Sequence, residues 1–185
     1  MGFRLSNNRY EEIKRIIVEL FIKYDVKCIP ISGFELASKM GIKVIPYSSF
    51  SKEKQKLLLK MSEDGFFVEK TDNELYIYYN DDQNYGRINN TILHEIGHSI
   101  LDHTDESELA EAEVNFFAKY ALVPPVLVHK LGINNPYRIS ELFDVSIEAA
   151  FYAFNYYKKW LRYGHGNYTD YEMKLIDLFK FSIQN

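Results

Sequence analysis

At 185 residues and 46% hydrophobic content, the chain can bury a sizeable core within one domain. Its formal net charge is -4, from 22 basic and 26 acidic residues, which speaks against a broad nucleic-acid-binding surface. Cys28 is the only cysteine, so no internal disulfide can form, and no uninterrupted apolar run reaches the length of a membrane span.

The start, Met1-Gly2-Phe3-Arg4, leads into polar residues rather than the apolar stretch of a secretory signal. The expected location is therefore the cytoplasm, where a lone thiol stays reduced. Arg9 to Tyr24 has helical periodicity through Ile13, Ile16, Ile17, Leu20 and Phe21. Phe34 to Met40 reads as a short helix ended by Gly41, and Ile42 to Pro46 as a strand. Lys52 to Met61 reads as a helix with a basic, solvated outer face. Gly65 to Lys70 and Glu74 to Asn80 are strands joined through Thr71-Asp72-Asn73, a hairpin-like connection.

In Leu75-Tyr76-Ile77-Tyr78-Tyr79 alternate residues face opposite sides. As an edge strand it would hold an extended peptide by backbone pairing, with Tyr76 and Tyr78 lining the cleft. The alternative is that both tyrosines cover core on a two-sided sheet.

Two helices follow, the first ending near Asp102 and the second near Val123, before Pro124-Pro125. Asp105 reads as the N-cap of the second, with Glu108 at N3. Three more helices are expected over Arg138 to Phe143, Ser146 to Tyr163 and Thr169 to Phe181. The segment from Ile139 to Ala150 has the outline of a helix-turn-helix. Its second helix starts Ser146-Ile147-Glu148-Ala149-Ala150-Phe151, a packing or partner-docking surface rather than a base-reading one. The aromatic run Phe151 to Trp160 reads mostly as core.

The most informative stretch is His94-Glu95-Ile96-Gly97-His98, an H-E-x-x-H motif. Histidines four apart lie on one helical face, so both imidazoles can reach one metal. Glu95 can project toward metal-bound water and act as general base. Zinc brings the pKa of such water to about 7. Ile88, Ile92, Ile96 and Ile100 form an apolar stripe beside the histidine face. Gly97 costs about 1 kcal/mol of helix stability relative to Ala. It either lets backbone or substrate approach closely or is merely tolerated.

A catalytic zinc usually has three protein ligands and an open position. His98 lies about 6 Å from the expected end of its helix. If the next helix packs back, the level residue is Glu111 or Ala112, and of these Glu111 can ligate. Glu113 lies about 200° around the helix from Glu111 and points elsewhere, onto a solvated face. Asn115 is on the Glu111 face and can hydrogen-bond a ligand from outside. Thr104 stands where the three-histidine variant of the motif has its third histidine, so the site is histidine-histidine-glutamate. His103 reads as a turn residue and His129 as a surface one. Tyr163, His165 and Tyr168 are the candidates for oxyanion stabilisation.

These residues resemble a known family. Ile77-Tyr78-Tyr79-Asn80, Arg87-Ile88, Thr91 through His98, and Leu101-Asp102-His103 are similar to the ImmA/IrrE metallopeptidases. So are Glu111 through Ala118 and Leu122-Val123-Pro124, where the family pattern is glutamate, three residues, asparagine, then Phe-Ala and Leu-x-Pro. The resemblance is strong from Leu75 to Pro125 and looser elsewhere. It places the third ligand on Glu111. It implies a gluzincin-like core and cleavage of a repressor of the Xre-like helix-turn-helix type, in bacteria or their mobile elements.

The expectation is thus an α+β protein with a zincin-like core. It has an N-terminal helix, a small, mainly antiparallel sheet and an active-site helix over residues 1–130, and a helical C-terminal extension over 131–185 packed on the same domain. One zinc ion would sit on His94, His98 and Glu111, with Glu95 as general base, acting on a protein substrate. The alternative is a non-catalytic regulator in which the metal is structural and the partner is a repressor or DNA. An intact Glu95 argues against it, because a structural zinc needs no base.

Overall fold

A computed structural model describes residues 4–70, 74–103, 107–163 and 167–184. The fold is α+β, combining helices with one small three-stranded sheet among the described residues. Among these residues no helix is long and apolar enough to cross a membrane. The contacts divide the chain into two units. One has its bulk in Ser32–Ala118, and the other joins Leu5–Ile31 to Lys119–Asn185. The first helix thus falls with the C-terminal helices.

The first unit contains α2 (Gly33–Met40), β1 (Lys43–Pro46), a 3-10 turn (Tyr47–Ser49), α3 (Lys52–Met61), β2 (Gly65–Glu69), β3 (Leu75–Tyr79), α4 (Tyr85–Ile100) and most of α5 (Glu108–Leu122). Side-chain caps start the helices: Ser32 accepts from Glu35 N, Ser51 from Lys54 N and Asn84 from Arg87 N. Gly41, with φ 76°, closes α2 in the left-handed conformation that glycine adopts without strain.

The sheet order is β1-β3-β2. β1 runs parallel to β3, with Val44 opposite Ile77, and β2 runs antiparallel, with Gly65 opposite Tyr79. The connection between β2 and β3, Thr71-Asp72-Asn73, lies outside the described residues. β3 is therefore the central strand, with both backbone edges used. That corrects its expected role as an edge strand, since it has no free hydrogen-bonding edge for a peptide.

A cross-strand pair shares one face of a sheet. A Cβ on Gly65 would stand 2.8 Å from Thr91 Cγ2 of α4, so α4 lies on the Ile77 and Tyr79 face. Tyr76 and Tyr78 alternate to the other face, where they stack on each other (6.0 Å, 10°). Tyr78 also meets Phe66 and Phe50. The cleft-lining role expected for the two tyrosines gives way to sheet cover.

In the second unit, α1 (Asn7–Lys23) packs with α9 (Asp170–Leu178), and α8 (Ile147–Tyr163) with α6 (Pro125–Lys130) and α7 (Pro136–Phe143). A short α10 (Lys180–Gln184) follows. The Pro124-Pro125 stop also starts α6, because proline fits the first helical position. His129 sits in α6, not loose on the surface. Its Nδ1 is 3.1 Å from Tyr157 Oη, and its ring lies against Trp160. Of the aromatic run, Tyr157 is buried, but Phe151 and Tyr152 are exposed at the start of α8.

Candidate metal centre

α4 is anchored at its N-terminal end by two polar contacts. Arg87 in its first turn makes a two-pronged ion pair with Asp64, at 2.6 and 3.0 Å, just before β2. Two residues on, buried Asn89 accepts the Gly33 N–H at the start of α2 (2.6 Å). Ile92, Leu93 and Ile96 are fully buried. The other face is left to carry His94 and His98.

α5 begins at Glu108, capped by Ser107, whose hydroxyl accepts the Ala110 N–H (3.2 Å). Ser107 takes the place expected for Asp105, which lies outside the described residues. Gly97 lets α5 come close. A Cβ there would stand 3.1 Å from the Phe117 ring and 3.3 Å from Val114. This resolves the two expectations for Gly97 in favour of close approach.

The approach brings three ligand atoms together. His94 Nε2 and His98 Nε2 are 3.2 Å apart. Glu111 sets Oε2 3.6 Å from His94 Nε2 and Oε1 3.3 Å from His98 Nε2. A tetrahedral zinc with bonds of about 2.0–2.1 Å holds its ligand atoms about 3.3 Å apart, so spacing and donor set both fit a divalent ion. Among the described residues it is the one group of three or more His, Cys, Asp or Glu whose ligand atoms all fall within 4.8 Å of one another. Burial pushes the His94 imidazole below its ordinary pKa, against the pull of the Glu111 carboxylate. That favours the neutral, ligating form.

Glu95 is 9% exposed and points from the same helix into the protein. Burial, and next the charge of Glu95, push the phenol of Tyr47 up to about 12. Tyr47 thus stays protonated, and its hydroxyl donates to the Ser62 carbonyl (3.2 Å).

Two residues read from sequence as peripheral are part of this region. Glu113 is buried at 5% exposure, not solvated, and its Oε2 lies 2.9 Å from His103 Nε2. His103 in turn sets Nδ1 3.3 Å from His98 Nδ1. The available signal was chemical: a histidine just past a ligand helix and a second acid on the facing helix can serve a ligand's free nitrogen. Asn115 is exposed and donates to the backbone carbonyl of Glu111 (2.7 Å), so it bonds that residue's main chain instead of its carboxylate.

Tyr163 and Tyr168 belong to the second unit, not to the one that carries the three ligands. Tyr163 is 80% exposed, and Tyr168 stacks on Trp160 (6.3 Å, 12°). His165 lies outside the described residues.

No curated protein matches the sequence. The family model Peptidase M78, described as the IrrE N-terminal-like domain, matches residues 37–155. That span is well over half of the chain and includes every residue of the metal-ligand cluster, and the chain belongs to this family of peptidases.

Proposed function

We propose that the protein is a zinc-dependent endopeptidase that cuts one site in a helix-turn-helix repressor of the Xre-like type. The observation that carries the catalytic part is the convergence of His94, His98 and Glu111, with Glu95 between the histidines, in a chain of a peptidase family. A zinc ion held by His94, His98 and Glu111 would supply a Lewis acid to the scissile carbonyl and to water. Glu95 accepts a proton from the attacking water and returns it to the leaving amine nitrogen as the C–N bond breaks. Water is consumed and two chains leave, so protons balance.

The sheet edge suited to an extended substrate is that of β2. It is an outer strand among the described residues, and it packs on α4. The repressor as substrate follows from the resemblance to ImmA/IrrE proteins, and a cytoplasmic location suits such a target. A repressor encoded beside this chain would be the first substrate to try.

The test incubates the zinc-loaded, full-length protein with that repressor, with and without a chelator, and reads intact mass. Expected are two fragments whose masses sum to the repressor plus one water, absent with chelator. An uncut repressor alongside ready degradation of casein overturns the selective reading.

A further inference from the structure

We infer that His103 and Glu113 form a hydrogen-bonded relay that sets the tautomer and orientation of the ligand His98. The inference rests on the metal-centre reading of His94, His98 and Glu111. The relay is built by a chain reversal. α4 ends with Leu101 N–H on the Gly97 carbonyl (2.9 Å), and Asp102 turns left-handed at φ 56°. His103 then donates its backbone N–H to the His98 carbonyl (3.1 Å), which brings its ring beside that of His98 (5.3 Å between centroids). From the other side, α5 delivers Glu113 two residues after Glu111.

The proton positions follow from counting donors. A neutral imidazole carries one N–H and one lone pair. The Glu113 carboxylate can only accept, so His103 places its proton on Nε2 and donates it across 2.9 Å. That leaves His103 Nδ1 as an acceptor, 3.3 Å from His98 Nδ1. His98 therefore carries its proton on Nδ1, and its Nε2 lone pair is left facing His94 and Glu111.

Burial makes the arrangement persistent. The side chains of His103 and Glu113 are 11% and 6% exposed, so water competes poorly for these bonds. Glu111 and Glu113 of α5 thus divide the work. Glu111 meets the ligand nitrogens directly, and Glu113 acts on His98 through His103. Both relay members are positioning residues, since neither touches the reacting atoms.

Two measurements on the full-length chain test this. The first is zinc affinity, by competition with a chromophoric chelator. His103→Phe and Glu113→Leu should each lose about 10–100-fold, the usual effect of removing such a partner. Glu113→Gln, whose amide oxygen still accepts from His103, should stay within a few-fold of the parent. The second is the histidine tautomer, read by long-range proton–nitrogen NMR in the parent, metal-free and zinc-loaded. His103 should carry its proton on Nε2 in both.

A proton on His103 Nδ1, or a His103→Phe protein that binds zinc as the parent does, overturns the relay. Should Glu113→Leu fail to fold, the parent spectrum and His103→Phe still decide. Failure of the parent itself to bind zinc would sink the metal-centre reading instead, a distinguishable outcome.

Discussion

Glu95 and Glu111 are both acids beside the same two histidines, yet substitution should separate them. Glu95→Gln removes the proton acceptor and leaves the three ligands intact. Zinc content and melting temperature should match the parent while cleavage of the repressor falls by about 10²-fold or more. Undiminished cleavage by the zinc-loaded variant would refute the general-base role. Glu111→Gln removes a charged ligand and should weaken zinc binding far more than Glu113→Gln, as read by chelator competition. Equal losses would mean that the ligand is misassigned.

The cluster of His94, His98 and Glu111 was legible because its geometry is local. Histidines four apart share a helix face, and a rise of 1.5 Å per residue sets Glu111 level with His98 across a short turn. His103 and Glu113 were not legible for a related reason. The placement of Glu113 about 200° from Glu111 holds, but what waits there depends on the reversal at Asp102. A non-glycine residue in the left-handed conformation announces itself weakly in sequence.

At the scale of elements, the meeting of α4 and α5 depends on Gly97. A valine there must displace the Phe117 ring and Val114, both fully buried. Overpacking of this kind costs about 1–3 kcal/mol, and the relief available is a shift of α5, which carries Glu111. Gly97→Val should therefore lower the melting temperature and weaken zinc binding together. A variant that lost stability with unchanged zinc affinity would show that helix spacing does not tune the site.

The helices were marked in sequence chiefly by apolar spacing and by Gly and Pro stops. The sheet order was not. Leu75-Tyr76-Ile77-Tyr78-Tyr79 alternates whether it sits at an edge or in the middle. Only pairing with β1, which precedes it by some thirty residues, makes it central. That pairing is non-local, and parallel strands leave no turn signal between them. α6 was missed for the opposite reason, since a double proline reads as a stop while its second member also begins a helix.

For the whole molecule, the expectation is a soft boundary near Leu131 to Pro136, with the C-terminal helices packed on the same domain. Within the second unit, the first helix packs with the last ones. Phe21 of α1 meets Phe179 beyond α9 (6.2 Å between ring centroids), and Tyr171 donates to Glu11 (2.7 Å). Ile13, Ile17 and Phe21 are fully buried, as are Leu175 and Phe179. Sequence periodicity identified α1 as amphipathic but could not say which later helix would cover it. Removing residues 136–185 would uncover part of that face. Each large apolar side chain returned to water costs about 1.5–3 kcal/mol, and a folded domain has only about 5–15 kcal/mol in total. The deletion should therefore lose protection of the α1 amides in hydrogen exchange, bind a hydrophobic dye, and melt broadly well below the full chain. A truncated protein that melts cooperatively near the parent temperature with α1 still protected would show that the C-terminal helices are dispensable to the fold. They would then be free to serve the substrate alone.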